Sequence, residues 1–438
     1  MSGSLQEGIY YQDQDQPGAS LGVVFLRVSN SDSHQVGKTL ANLWKLYKDL
    51  KKGIVKEAPP SSKYLHSGNM TVLIGLAPEI FSLKGIKKQM PMALSQKRTF
   101  ADPMPNGGGP IFDGSSLLYA SDAFANPVSS EHIIIQFIAD TQLATHRAIV
   151  DTWAFLADNK DERLVQFSKF YTGFQRPDQR NWMGFHDGLS NMKSVERKSA
   201  IAIESAAPNS SEQWTTNGTY LAFMRISIDL AKWNKLTVQE QEILIGREKL
   251  SGCPIIGLDK NNKPVKDKRC PVPGTVEVID KGNEVFREHP RYGSTNLQEG
   301  VTDNILLYSH VGSTRKAVGI PSWKKESFRI FRQGYEFLEP ADTFPGFRVG
   351  LNFISFQNTP ERITGSLKDW RRQDKYTQGV ENHPRSMNEY LYVRAAGIYF
   401  VPPRKEGEEF PGSSIFLESN DEIPQLEKTK SFYRQDQP

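Results

Sequence analysis

Apolar residues in this chain follow two rhythms. Crowded runs of large and β-branched residues read as buried strands at 20–29 (SLGVVFLRVS), 69–81 (NMTVLIGLAPEIF, running into a turn) and 132–140 (HIIIQFIAD). Elsewhere apolar positions recur every third or fourth residue. Val36, Leu40, Leu43, Tyr47 and Leu50 do so across 33–52, which predicts a helix with Ser33 as N-cap and Gly53 as its stop. Residues 141–156 repeat that spacing, and 163–175 read as a fourth strand. The second half starts again with a strand at 218–230, then a helix over 237–250 whose Thr237 and Glu240 match a capping box. Further strands are predicted at 304–310, 327–337, 350–358 and 389–403, with helix over 359–370 after its proline. The Gly/Pro/Asp-rich region 85–130 and the polar stretch 257–300 read as irregular surface. The last 35 residues read as a polar tail, wrapped over the surface or partly disordered.

Each half therefore runs roughly strand, helix, strand, strand, helix, strand. That order predicts an α+β fold of two ferredoxin-like domains, antiparallel sheets with helices packed outside, over residues 1–215 and 216–438. The duplication rests on element order, since no sequence repeat links the halves.

Composition narrows the field of functions. The 438 residues carry a net charge of +4 with 24% charged residues, an ordinary mixture. Clusters such as 48–52 (KDLKK) read as solvated faces, so no nucleic-acid partner is expected. Two cysteines, Cys253 and Cys270, are too few for a disulfide framework or a cysteine-ligated metal. They read as free thiols in a reducing compartment, with one disulfide closing the intervening loop as the alternative. The first residues show no signal-peptide pattern and no apolar run is long enough to span a membrane. The expectation is a soluble, cytoplasmic protein with no membrane partner. DSHQVGKT (32–39) is the nearest approach to a P-loop, but Asp32 stands where the first glycine must be, so a carboxylate would face the phosphates. No HExxH, G-x-G-x-x-G or G-x-S-x-G pattern sits between suitable elements.

One stretch stands apart. NWMGFHDGLSNMKS (181–194) sets Asp187 between Gly184 and Gly188, amid Trp, Phe and Met and directly after His186. By itself this is an Asx-turn capping a helix. Likewise His310 alone is a half-buried structural residue at a strand end. Yet GFHDGLSN resembles the G-x-x-D-G motif of the dye-decolorising peroxidases, including the later Asn191. Further matches follow in consistent order: YLAFMR (220–225), LIGREKLSGCP (244–254), RIFRQG (329–334), GLNFISFQ (350–357) and GIYFVPP (397–403). The resemblance covers roughly residues 5–405.

It implies the dimeric α+β barrel superfamily, with a single haem b in the C-terminal half. His310 would ligate the iron, and Asp187 would be the distal acid–base group. Arg332 would stabilise charge, with Arg329 as the fallback. Gly184, Gly188, Asn191 and Arg315 would lie along the cofactor. Family members often read H-I-R-K after the ligand; here His310 is followed by VGSTRK, so Arg315 takes the propionate role. His186 is expected to point away or to bond a propionate. Glu389 or Asp374 would accept the other imidazole N–H.

The implied chemistry is a heterolytic cleavage of hydrogen peroxide. A carboxylate moves the proton, and an arginine, charged at any working pH, steadies the developing negative charge. Apolar neighbours should raise the pKa of Asp187 and Arg332 should lower it. Dyes and phenolic or other aromatic donors would then be oxidised, through surface residues such as Trp182, Tyr335 or Trp370 where they are too bulky to enter. Assembly into a homo-oligomer is compatible with the sequence. A haem-binding or iron-handling protein of deferrochelatase type is the alternative, and a scaffold without a cofactor is the third reading.

Overall fold

The computed structural model describes residues 3–9, 18–29, 32–55, 67–95, 131–158, 164–186, 194–205, 210–253, 255–261, 263–266, 309–310, 330–342, 344–363 and 387–418. The first half supplies β1 (Ser20–Val28), α1 (Ser33–Lys51), β2 (Thr71–Leu76), α2 (Met92–Ser95), β3 (Ile133–Ala139), α3 (Gln142–Asp158) and β4 (Val165–Phe174). After α4 (Ser194–Ile201) come β5 (Thr219–Ile228), α5 (Leu230–Trp233) and α6 (Val238–Ile245), then the hairpin β6 (Ile255–Leu258) and β7 (Pro264–Lys266). β8 (Phe331–Pro340), β9 (Phe347–Gln357) and β10 (Leu391–Val401) complete the sheet. In the first half the four predicted strands and the two long helices are borne out, as are the strands predicted at 218–230, 350–358 and 389–403; residues 304–308, 327–329 and 364–370 of the other predicted elements lie outside the described residues.

Eight strands close into one antiparallel barrel in the order β1-β3-β2-β10-β5-β9-β8-β4. Around that ring the first half reads β4-β1-β3-β2 and the second β10-β5-β9-β8, the same ferredoxin-like order twice. The halves meet at two thin seams, Phe400 with Leu76 and Phe174 with Glu336. Alternation along each strand sorts two cores. Leu21, Val23 and Phe25 of β1, Leu221 and Phe223 of β5, and Ile354 and Phe356 of β9 fill the barrel. Val24 and Leu26, with Ala222 and Met224, face outward. There they join the predicted stripe of α1, and α1 is tied to α3 where the Tyr47 hydroxyl meets that of Thr152 at 2.9 Å.

Some inward positions are polar, Gln136, Gln333 and Asn352 among them, and Arg225 carries a charge. Arg225 of β5 is buried, bonded through Nη1 to Asn352 Oδ1 at 2.6 Å and ion-paired with Glu339. Its guanidinium carbon lies 3.6 Å from the ring centre of Phe337 and 4.3 Å from that of Tyr171. Burial pulls its pKa below the ordinary arginine range, while Glu339 opposes that shift. It closes the barrel where β4 and β8 share a single pair.

Several expectations change. The N-cap of α1 is Asp32, whose carboxylate accepts the His34 N–H at 3.0 Å, so Ser33 is already helical. That carboxylate occupies the place a phosphate would take at the helix N-terminus. The capping box of α6 forms as predicted, but the helix stops at Gly246 (φ 89°), short of 250, because the left-handed residue ends it. Part of 257–300 pairs as the β6–β7 hairpin. The final segment is not all loose tail: Ser4 and Arg404 exchange backbone bonds, and Phe410, Ile415 and Phe416 enter the outer core. A Cβ on Gly37 would lie 2.6 Å from that of Phe416, so this close approach of α1 requires glycine.

Cys253 is buried and disulfide-bonded, which overturns the expected free thiols. The chain's other cysteine, Cys270, lies outside the described residues. Thiol titration of the unreduced, denatured protein should find no reactive thiol, and should find both cysteines after reduction. Among the described residues no helix is long and apolar enough to cross a membrane.

Candidate functional site

β8 turns Phe331 and Tyr335 into the barrel, so Arg332, Gly334 and Glu336 take the outer face. Register sets them beside Ser355, Phe353 and Leu351 of β9. Arg332, Phe353 and Leu351 are half-buried, while the Glu336 carboxylate is 5% exposed. Gly334 adds no side chain, so this part of the sheet is low between a cation and an anion.

The turn that leads to Asp187 is fastened to this face. Asn181 folds it: its carbonyl accepts from Gly184 N–H at 2.8 Å, its N–H donates to Phe185 O at 2.9 Å, and its Oδ1 accepts from Phe185 N–H at 3.1 Å. Gly184 sits at φ 87°, a conformation that favours glycine, and a Cβ there would lie 2.5 Å from Lys249 Cε, so the lysine would have to shift. Trp182 then reaches β8. Its N–H donates to Glu336 Oε2 at 3.3 Å and its indole N–H to Phe337 O at 3.0 Å. Arg176 covers that indole at 5.3 Å.

On its other side the turn is gripped by Arg180. One guanidinium nitrogen donates to Gly184 O and Lys249 O, both at 2.7 Å, and the other to Leu250 O at 2.8 Å. Phe185 is fully buried, edge-on to Trp233 with ring centres 6.3 Å apart. Lys249 donates from its backbone to Glu242 Oε1 at 2.9 Å and from its ammonium to Gln241 Oε1 at 2.6 Å. Burial lowers the pKa of Lys249 and raises that of Glu242, so the turn rests in partly desolvated surroundings.

Of the expected site residues, Arg332, Gly184 and His310 are described. Asp187, Gly188, Asn191, Arg315, Arg329, Asp374 and Trp370 lie outside the described residues. His186 is buried, with its backbone bridged to that of Arg180. His310 is half-buried after the buried Ser309, and its backbone is helical rather than the end of a strand. Residues 304–308 of that predicted strand lie outside the described residues. Glu389 is half-buried, its carbonyl accepting the Tyr392 hydroxyl at 3.3 Å. Tyr335 is a fully buried barrel residue whose hydroxyl donates to Gly18 O at 3.0 Å, which makes it a packing element. Arg180 and Glu336 carried no motif signal. Their roles arise from contacts with segments far away in sequence.

A family model described as "Dyp-type peroxidase, C-terminal" matches residues 178–406, just over half of the chain. The deferrochelatase of Escherichia coli O157:H7 is 21% identical over 361 residues, 80% of this chain and 70% of that protein. That of Shigella sonnei strain Ss046 is 22% identical over 358 residues, with the same coverage. Among solved structures, a DyP-type peroxidase from Cellulomonas bogoriensis superposes with a TM-score of 0.64 at 17% identity, covering 94% of this chain and 97% of its own. Ferric DtpA from Streptomyces lividans gives 0.61 at 18% identity, covering 93% and 96%. A Rhodococcus jostii RHA1 DypB variant in complex with heme gives 0.52 at 15%, covering 92% and 98%.

Proposed function

Because this chain belongs to the Dyp-type peroxidase family, we propose that it is a haem-dependent peroxidase cleaving hydrogen peroxide between Asp187 and Arg332. The observation that carries this reading is the seam between Trp182 and β8. It fastens the turn leading to Asp187 onto the strand that holds Arg332. The donor set suits haem. His310 offers a half-buried imidazole, a nitrogen ligand of the kind haem iron takes, and Gly334, beside Phe353, adds no side chain to the outer face of β8. Gly188, Asn191 and Arg315 would lie along its edge, and Glu389 or Asp374 would take the second imidazole N–H.

When bound, haem supplies the redox centre that takes up peroxide's oxidising equivalents and is returned to rest by electrons from a donor. The chain's own residues handle the proton and the charge. Asp187 accepts the proton of one peroxide oxygen and passes it to the other, which leaves as water. Arg332 faces the negative charge that grows as the O–O bond lengthens. Dyes and phenolic or other aromatic donors then give up electrons, with the half-buried Trp182 the one described candidate at the site's rim. We place the domain boundary at 215/216, between the two four-strand sets. The Cys253 disulfide supports an oxidising compartment over the cytoplasm the sequence suggested.

The similar deferrochelatases support a second reading, haem or iron handling with little peroxide turnover. One experiment separates them. Protein produced with ample haem should show a haem absorption band that changes cleanly with one equivalent of peroxide and returns on adding a dye. Bleaching without such a cycle favours haem handling, and no band at all removes both readings.

A further inference from the structure

We infer that Arg180 and Glu336 are positioning residues for peroxide cleavage, together fixing where Asp187 stands relative to Arg332. The inference rests on the reading above and deepens it. Acid–base transfer and charge stabilisation act on the same breaking bond, so the two groups must be held in one geometry. A displacement of about 1 Å can cost a hundredfold in rate.

Asn181 shapes the turn from within, but stiffness relative to β8 must come from outside it. The protein supplies that stiffness from two sides. Arg180 spends its fork on three backbone carbonyls, one inside the turn and two in the bend at Lys249 and Leu250. These bonds keep their charge assistance across working pH, and a lysine cannot reproduce the fork. Glu336 grips the opposite side at the Trp182 N–H, from the same face of the same strand as Arg332. Four residues of strand separate the two by about 13 Å. Movement of β8 therefore carries Arg332 and the turn at 181–186 together. A carboxylate only 5% exposed is costly to bury; its use here is to couple the two halves of the site.

The test compares Glu336→Ala, Glu336→Gln, Arg180→Lys and Asp187→Asn with the wild type, all as haem-loaded full-length protein. Three quantities are read: the second-order rate with peroxide across pH, haem content, and hydrogen–deuterium exchange of peptides spanning 181–186. Glu336→Ala and Arg180→Lys should speed exchange in that turn and keep the haem. They should slow the peroxide reaction by about tenfold to a hundredfold. Their acid limb should move up by about one pH unit, because an aspartate farther from arginine holds its proton more tightly. Glu336→Gln keeps an acceptor oxygen of the same shape and should recover most of the rate. A merely structural role would lower the folded fraction and leave the acid limb in place. The inference is overturned if Glu336→Ala matches wild type in rate and acid limb, or if Glu336→Gln is as slow as Glu336→Ala. If Asp187→Asn itself reacts at the wild-type rate, the functional reading fails instead, and the two failures are told apart.

Discussion

His310→Ala, produced with ample haem, should lose the haem absorption band and every peroxide-dependent change in it, yet keep its fold. The fold is expected to survive because the barrel core does not draw on this residue. The inner cluster is built from β1, β2, β3, β5, β8, β9 and β10 with α4, and His310 is only half-buried. Circular dichroism of the two haem-free proteins should therefore coincide. Haem at a hundred times its dissociation constant would stabilise the wild type by about 2.7 kcal/mol, and the variant should show none of that gain on heating. Free imidazole should restore part of the band by standing in for the missing side chain. If the variant keeps the wild-type band, His310 is not the ligand, and the other histidines are the first to examine. His132 is a poor substitute, because its Nδ1 is already engaged, accepting the Val28 N–H at 2.6 Å. His186 would be the residue to replace next, since it is buried beside the Asp187 turn.

Local chemistry was readable along the chain, and long-range closure was not. The apolar runs at 20–29 and 132–140 announced β1 and β3 because sheet strands buried on both faces need near-continuous apolar sequence. Thr237 and Glu240 announced the start of α6 because a capping box is spelled within four residues. The helix ends earlier than predicted: Arg247, Glu248, Lys249 and Leu250 are good helix formers by propensity, but Gly246 takes a left-handed conformation that only the structure reveals. Asp32 and Ser33 are both good caps, and sequence alone does not choose between neighbours. The segment after Pro403 looked polar because its few apolar residues, Phe410 and Phe416 among them, are spaced irregularly and pack on α1.

The candidate site divides in the same way. Gly184 and Arg332 were legible as parts of short motifs. The grip of Glu336 on Trp182 joins residues 154 apart, and Arg180 reaches carbonyls 69 and 70 residues away. Arg225 ended the quoted YLAFMR run with no role attached, and only barrel closure brings Asn352, Glu339, Tyr171 and Phe337 around it. Such contacts leave no trace in local spacing, since each partner is an unremarkable residue in its own segment.

Asp187→Asn should retain the haem band and slow the peroxide reaction by roughly 10²–10⁴-fold, the usual loss when a positioned acid–base group is removed. Asparagine keeps the size and an acceptor oxygen but has no proton affinity to shuttle with, so shape and haem binding survive. The pH profile carries the sharper test. Asp187 must be deprotonated to take the first proton, so the wild-type rate falls as pH drops through its pKa, and the variant should lose that acid limb. Arg332→Gln removes the facing charge. The aspartate then holds its proton to higher pH, and the acid limb should shift upward, with a rate loss of about 10²–10³-fold. Because both groups act on one breaking bond, the double variant should be little slower than Asp187→Asn alone. Independent, multiplying losses would mean that the two residues do not share a transition state. A haem-handling protein predicts something different again: spectra that bleach at similar rates in all three variants, with no acid limb to move.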